Sequence, residues 1–176
     1  MRKINFIDCG AFDGCSISQA RKLWKDCTIY SFEPLPENIE KIKYCGVNLI
    51  KKAVWIEDGT ADFHIGLPQS GTLIKGKTTG KLNDCIEVET INFSKWLKDN
   101  VNKDDYNIVK MNIEGAEYEV INHLYKNNML SWISKWFVQW HVGKIPIELE
   151  EHKRISKLIK FESWKVMSKD TKSYFT

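Results

Sequence analysis

Short apolar runs, each stopped by an acid, glycine or proline, alternate along this chain with stretches in which apolar residues recur at helical spacing. Ile4, Phe6 and Ile7 open the stretch INFIDCGAFDG, a buried-strand signal that ends at Asp8 and runs into a loop broken by Gly10 and Gly14. Ile17, Ala20, Leu23 and Trp24 then fall at helical spacing and predict a helix over 16–25. TIYSF at 28–32 is β-branched and aromatic, a second strand that Glu33-Pro34 stops. A short helix through Ile39 and Ile42 follows, then a third strand over 48–55. Asp58-Gly59 marks a turn, 60–65 a small extra strand, and 85–91, where Ile86, Val88 and Ile91 alternate with acids, another extended segment. Beyond it the pattern predicts a helix over 94–100, a buried strand over 106–113, a helix over 116–125 and a strand over 136–141. An amphipathic helix over 147–160 and a hairpin-like pair at 164–167 and 174–175 close the chain.

Strand, helix, strand repeated with short connections predicts an α/β fold, a parallel sheet covered by helices on both faces. A length of 176 residues fits one domain spanning 1–176. The stretch 66–84 is rich in Gly, Thr and Lys, and reads either as a lid or binding loop or as a plain surface excursion. Its Lys75, Lys77 and Lys81 either meet an anionic acceptor or are simply solvated.

Composition narrows the function classes. Hydrophobic residues make up 43% and charged residues 28%, an ordinary globular balance, and the net charge of +3 carries no block of like charges, so no nucleic-acid partner is expected. The 5 cysteines are scattered without a C-x-x-C spacing, which points to neither a disulfide framework nor a metal site. An acid interrupts the N-terminal apolar run early and no stretch is long enough to span a bilayer, so a cytoplasmic protein without membrane insertion is expected. An oligomer remains open.

The chemistry concentrates where strands end. Asp8 and Glu33 are expected at the carboxyl ends of neighbouring strands, and a dinucleotide fold places an acid about 20 residues past its glycine motif to accept hydrogen bonds from a ribose. Gly10 and Gly14 let the backbone pass close to a ligand. Yet D-C-G-A-F-D-G lacks the G-x-G-x-x-G spacing, and an acid in the loop repels phosphate. The residues thus favour a cationic ligand without phosphates, such as S-adenosylmethionine; the alternative is that Asp8 is a turn residue and Glu33 a solvated acid.

FIDCGAFDG, YSFEPLPENI, KKAVWIEDGTADF and IVKMNIEGAEYEVI, in this order and spacing, resemble the FkbM-like family of S-adenosylmethionine-dependent methyltransferases over most of 4–141. The resemblance implies a Rossmann-like class I methyltransferase, with a mostly parallel seven-stranded sheet containing one antiparallel strand, and O-methylation of a hydroxyl, often on a sugar or glycan. By matching motif, Asp8, Gly10 and Ala11 would line the methionine part of the cofactor, Glu33 would hold the ribose, and Val54 and Trp55 would flank the adenine.

Two positions depart from the family. Asn112 stands where it usually has aspartate, and Gln139 where it often has glutamate. An amide orients a hydroxyl but neither takes its proton nor binds a divalent cation strongly. Glu114, Glu117 and His141 remain as acid-base candidates, with Asn112 as an orienting group. His141 is the preferred base, since an unperturbed imidazole with pKa ~6.5 is largely neutral at cell pH. Its alternative is a strand-end cap, and that of the two glutamates is a place in a helix's first turn, where the dipole favours acids. Trp132, Trp136 and Trp140 read either as core or as a stacking surface for a sugar. Two rival functions stay in view: a non-catalytic cofactor-binding or interaction module, and a nicotinamide-dependent oxidoreductase, which the glycine spacing disfavours.

Overall fold

A computed structural model describes residues 2–66, 70–77 and 84–163. In chain order these form β1 (Ile4–Cys9), α1 (Cys15–Leu23), β2 (Thr28–Phe32), α2 (Pro36–Ile39), β3 (Val47–Ile50), β4 (Ala53–Trp55), β5 (Gly59–Gly66) and β6 (Ser70–Thr72). There follow β7 (Asp84–Asn92), α3 (Phe93–Asn100), β8 (Tyr106–Met111), α4 (Glu117–Lys126), β9 (Lys135–Val138), α5 (Leu149–Ser156) and β10 (Phe161–Glu162). The hairpin-like pair expected at 164–167 and 174–175 lies outside the described residues.

The central sheet has 6 strands in the order β10-β9-β8-β1-β2-β3, and every pairing in it is parallel. The expected seven strands with one antiparallel member are not what the described residues show. Antiparallel pairing belongs instead to a separate 4-stranded sheet, β4-β7-β5-β6, where β5 runs against β7 and β6 while β4 is parallel to β7. The two sheets part within what the sequence predicts as one strand over 48–55. Neighbouring residues of a strand point to opposite faces, so Lys51 and Lys52 would put a charge on both faces of a sheet that helices cover on both sides. The chain breaks there, with β3 closing the central sheet and β4 starting the second.

Alternation along the central strands builds both layers. Phe6, Ile29, Ile108 and Phe137 meet Ile17 and Ala20 of α1 on one face. Ile7, Val109, Met111 and Trp136 point the other way, into a core shared with Phe93, Trp96 and Leu97 of α3 and with Val120, Ile121 and Leu124 of α4. Burying each such large side chain stabilises the fold by about 1.5–3 kcal/mol. Trp136 is therefore core, and Trp132 and Trp140 pack against the same cluster. A third cluster, Leu35, Ala53, Phe63 and Val88, joins the second sheet to the segment after β2. No described helix is long and apolar enough to cross a membrane.

Candidate active site

In the central sheet the strand order runs outward from β1 in one direction and from β8 in the other, so it reverses between these two strands. Open parallel sheets bind ligands in the crevice outside the carboxyl ends at that point. A cleft of about 250 Å³ lies there. The segments after β1, β2 and β8 wall it, and Ala53, Val54, Phe63, Gly71 and Leu73 of the second sheet and its continuation close it.

The loop after β1 lies tight against its neighbours. The amides of Gly10 and Ala11 both donate to Phe32 O, at 3.1 and 3.0 Å. Gly10 has φ +84, and a Cβ there would stand 2.2 Å from Asn112 O, so only glycine fits. Gly14, φ +79, begins α1, and a Cβ would meet the Tyr44 ring at 2.8 Å. It shapes the loop without lining the cleft, whereas Gly10 and Ala11 do line it. Phe12 is held at φ 54, its N–H donating to Glu33 Oε2 at 2.9 Å.

Asp8 is fully buried beneath this loop and does not line the cleft. Its Oδ1 lies 2.9 Å from Lys110 Nζ, its Oδ2 accepts the Ser16 hydroxyl, and Lys110 also donates to Gly10 O at 2.6 Å. The acid that the sequence reads as facing a ligand is thus neutralised from inside. The parallel register, which sets Asp8 opposite Lys110, is the cause. A lysine inside the apolar strand YNIVKM is the one local sign that such a buried partner had to exist.

Glu33 lines the cleft and is 5% exposed. It takes the N–H of Phe12 on Oε2 and, on Oε1, the N–H of Leu35 at 3.1 Å and Asn38 Nδ2 at 3.2 Å. Burial raises its pKa, and these hydrogen bonds oppose the rise. A carboxylate has roughly four acceptor positions, so about one stays available. Val54 lines the cleft, while Trp55 packs against the main core instead.

Across the cleft, Asn112 leaves β8 with its Oδ1 buried and without a hydrogen-bond partner among the described residues. Glu114 also lines the cleft, at φ 57 and with its side chain 25% exposed. Its Oε2 is ion-paired with Lys77, and its Oε1 lies 3.4 Å from His141 Nε2. Burial disfavours its charge, but His141 and Lys77 outweigh that and pull its pKa down to about 2. Glu117 is fully buried and braces the turn, accepting the amides of Ile113 at 2.7 Å and Gly115 at 2.8 Å.

His141, 2% exposed, touches Glu114 from behind and does not line the cleft. Its Nδ1 lies 3.2 Å from Glu117 Oε1, outside hydrogen-bond alignment. Burial alone would lower its pKa; the two carboxylates override this and push it up to about 9. The neutral imidazole expected from the sequence is therefore an imidazolium at neutral pH. Of the loop lysines, Lys75 is exposed, Lys77 is buried against Glu114, and Lys81 lies outside the described residues. Lys110 and Lys77 are the residues that pattern reading passes over as partners. Which carboxylate each one meets is fixed only by the fold.

No curated protein and no solved structure matches this chain. A family model described as the Methyltransferase FkbM domain matches residues 8–162, a span that holds the loop after β1, both walls of the cleft and the row from Glu114 to His141. The chain belongs to the FkbM methyltransferase domain family.

Proposed function

We propose that this chain is an S-adenosylmethionine-dependent O-methyltransferase acting on a hydroxyl of a sugar or glycan. The observation that carries this reading is the cleft at the β1/β8 reversal, with Glu33 on one wall and Glu114 on the other. The residues fit the cofactor. Glu33 keeps an acceptor position for a ribose hydroxyl, Gly10 and Ala11 line the cleft, Val54 gives an apolar wall for adenine, and Asn112 Oδ1 is an acceptor without a partner among the described residues. Asp8 supports the site from beneath, through Lys110 and Gly10 O. When bound, S-adenosylmethionine supplies an electrophilic methyl group on a sulfonium. The sugar acceptor rests on the family.

On the chain's side, the work is positioning and proton removal. The geometry favours Glu114 over His141 as the group that meets the acceptor, because Glu114 lines the cleft and His141 stands behind it. With S-adenosylmethionine bound, the acceptor oxygen would take the methyl group as the methyl–sulfur bond breaks, the bonding pair would stay on sulfur as a neutral thioether, and the acceptor's proton would pass to the Glu114 carboxylate. A carboxylate held at about 2 is a weak base. It suffices late in the transfer, since the protonated ether then forming is far more acidic than a carboxylic acid. His141 and Lys77 keep Glu114 ionised and fixed, and Glu117 holds the turn that presents it.

A panel of mono- and oligosaccharides incubated with S-adenosylmethionine tests this reading by formation of S-adenosylhomocysteine. Turnover with at least one acceptor is expected, falling about 10²- to 10⁴-fold in Glu114→Gln. Cofactor binding without turnover on any acceptor would favour the non-catalytic module, a reading that Asn112 and Gln139 keep alive by placing amides where carboxylates are usual.

A further inference from the structure

The segment after β6 reaches Glu114 twice. Thr72 Oγ1 donates to Glu114 O at 2.8 Å, and Lys77 Nζ is ion-paired with Glu114 Oε2. Between these anchors Thr72 Oγ1 accepts the Ile74 amide at 3.0 Å. Ile74 and Ile145 pack over Gly115, where an added Cβ would stand 3.5 and 2.6 Å from them. Lys77 is only 8% exposed, so its ammonium has little water and depends on the carboxylate it meets. Gly71 and Leu73, at the start of the same segment, line the cleft. Part of the cleft wall and one of the two cations beside its carboxylate therefore arrive on a single strap, 70–77.

We infer that Lys77 is a positioning residue: by pairing with Glu114 it couples docking of the strap to the ionic state of the Glu114, His141 and Glu117 row, so that walling the cleft and orienting its carboxylate are one event. The use of this coupling rests on the methyltransferase reading; the coupling itself belongs to the folded chain alone. Among the described residues, the groups facing His141 are Glu114, with Lys77 on its far oxygen, and Glu117. Tyr118 is the further titratable neighbour, its hydroxyl pushed up by burial first and then by Glu117. In Glu114 each oxygen has a different cation beside it, so removing one leaves the whole charge to the other. A lysine that served only as an anchor would fix the strap without reaching His141.

The test needs neither cofactor nor acceptor. The His141 imidazole is titrated by NMR, and amide exchange is followed at Ile74, in wild type, Lys77→Met, Lys77→Arg, Glu114→Gln and the double variant Lys77→Met/Glu114→Gln. Lys77→Met is expected to move the His141 midpoint upward and to speed exchange at Ile74 by about tenfold. Lys77→Arg restores both, and in the Glu114→Gln background Lys77→Met changes neither further. An unmoved His141 midpoint in Lys77→Met, or effects of the two single changes that simply add, overturns the inference. If Lys77→Met does not fold, Thr72→Val loosens the strap from its other anchor and must shift His141 in the same direction. Calorimetry with S-adenosylhomocysteine on the same proteins separates the two ideas: a wild type that does not bind it sinks the methyltransferase reading, whereas the titration decides the coupling.

Discussion

Lys110 shows how one buried residue organises the site. With Asp8 fully buried and the lysine 3% exposed, neither charge has water to fall back on, and each depends on the other. Lys110→Met should cost about 3–5 kcal/mol in urea unfolding, because it leaves Asp8 as an uncompensated buried charge. Asp8→Asn in the same chain should recover part of that loss, and a double variant no more stable than the single would contradict the pairing. Asp8, Gly10, Glu33 and Glu114 were legible as residues of interest because each stands where an apolar run ends. Their partners were not, since the link from position 8 to 110, or from 77 to 114, is set by strand register and by the path of the strap rather than by any local pattern.

The elements follow local chemistry closely where one signal dominates. β2 coincides with TIYSF, whose β-branched and aromatic residues run directly into Glu33-Pro34. α3 begins where Asn92 caps it, its side chain accepting the Lys95 amide at 3.0 Å. Asn92→Ala should destabilise the protein by about 1 kcal/mol, read as a lower urea midpoint with an unchanged slope. A loss well below half of that would mean that packing of Phe93 and Leu97 alone sets the helix start. Where two signals compete, the sequence misleads. Residues 48–55 carry strand formers on either side of their centre, and only the paired lysines between them mark the change of sheet. β6 and the strap were hidden in a stretch whose glycines and lysines outweighed Thr72, Leu73 and Ile74.

At the scale of the molecule, the parallel core with helices on both faces was legible because alternation and helical spacing recur along the whole chain. The second sheet was not, because joining β5 to β7 across the intervening stretch is a non-local choice. The ionic row at Glu114 also gives the whole protein a pH signature. His141 rises from its ordinary 6.5 to about 9 on folding, so its contribution is complete below about 6.5 and is lost as pH climbs through about 9. Glu114 falls from 4.5 to about 2, so its contribution is present above about 4.5 and is lost as pH drops through about 2. Unfolding free energies compared between wild type and His141→Gln should therefore differ most between about pH 4.5 and 6.5 and converge toward pH 9. A difference that widens with rising pH would contradict the assignment.

The cleft at the β1/β8 reversal is the proposed seat of S-adenosylmethionine, with Glu33 on the ribose. Isothermal titration calorimetry with S-adenosylhomocysteine tests it most directly. One site per chain is expected in the wild type, with about a tenfold or greater loss of affinity in Glu33→Ala, which removes a charged hydrogen-bond acceptor. No binding to the wild type, or equal affinity in Glu33→Ala at unchanged thermal stability, would contradict it.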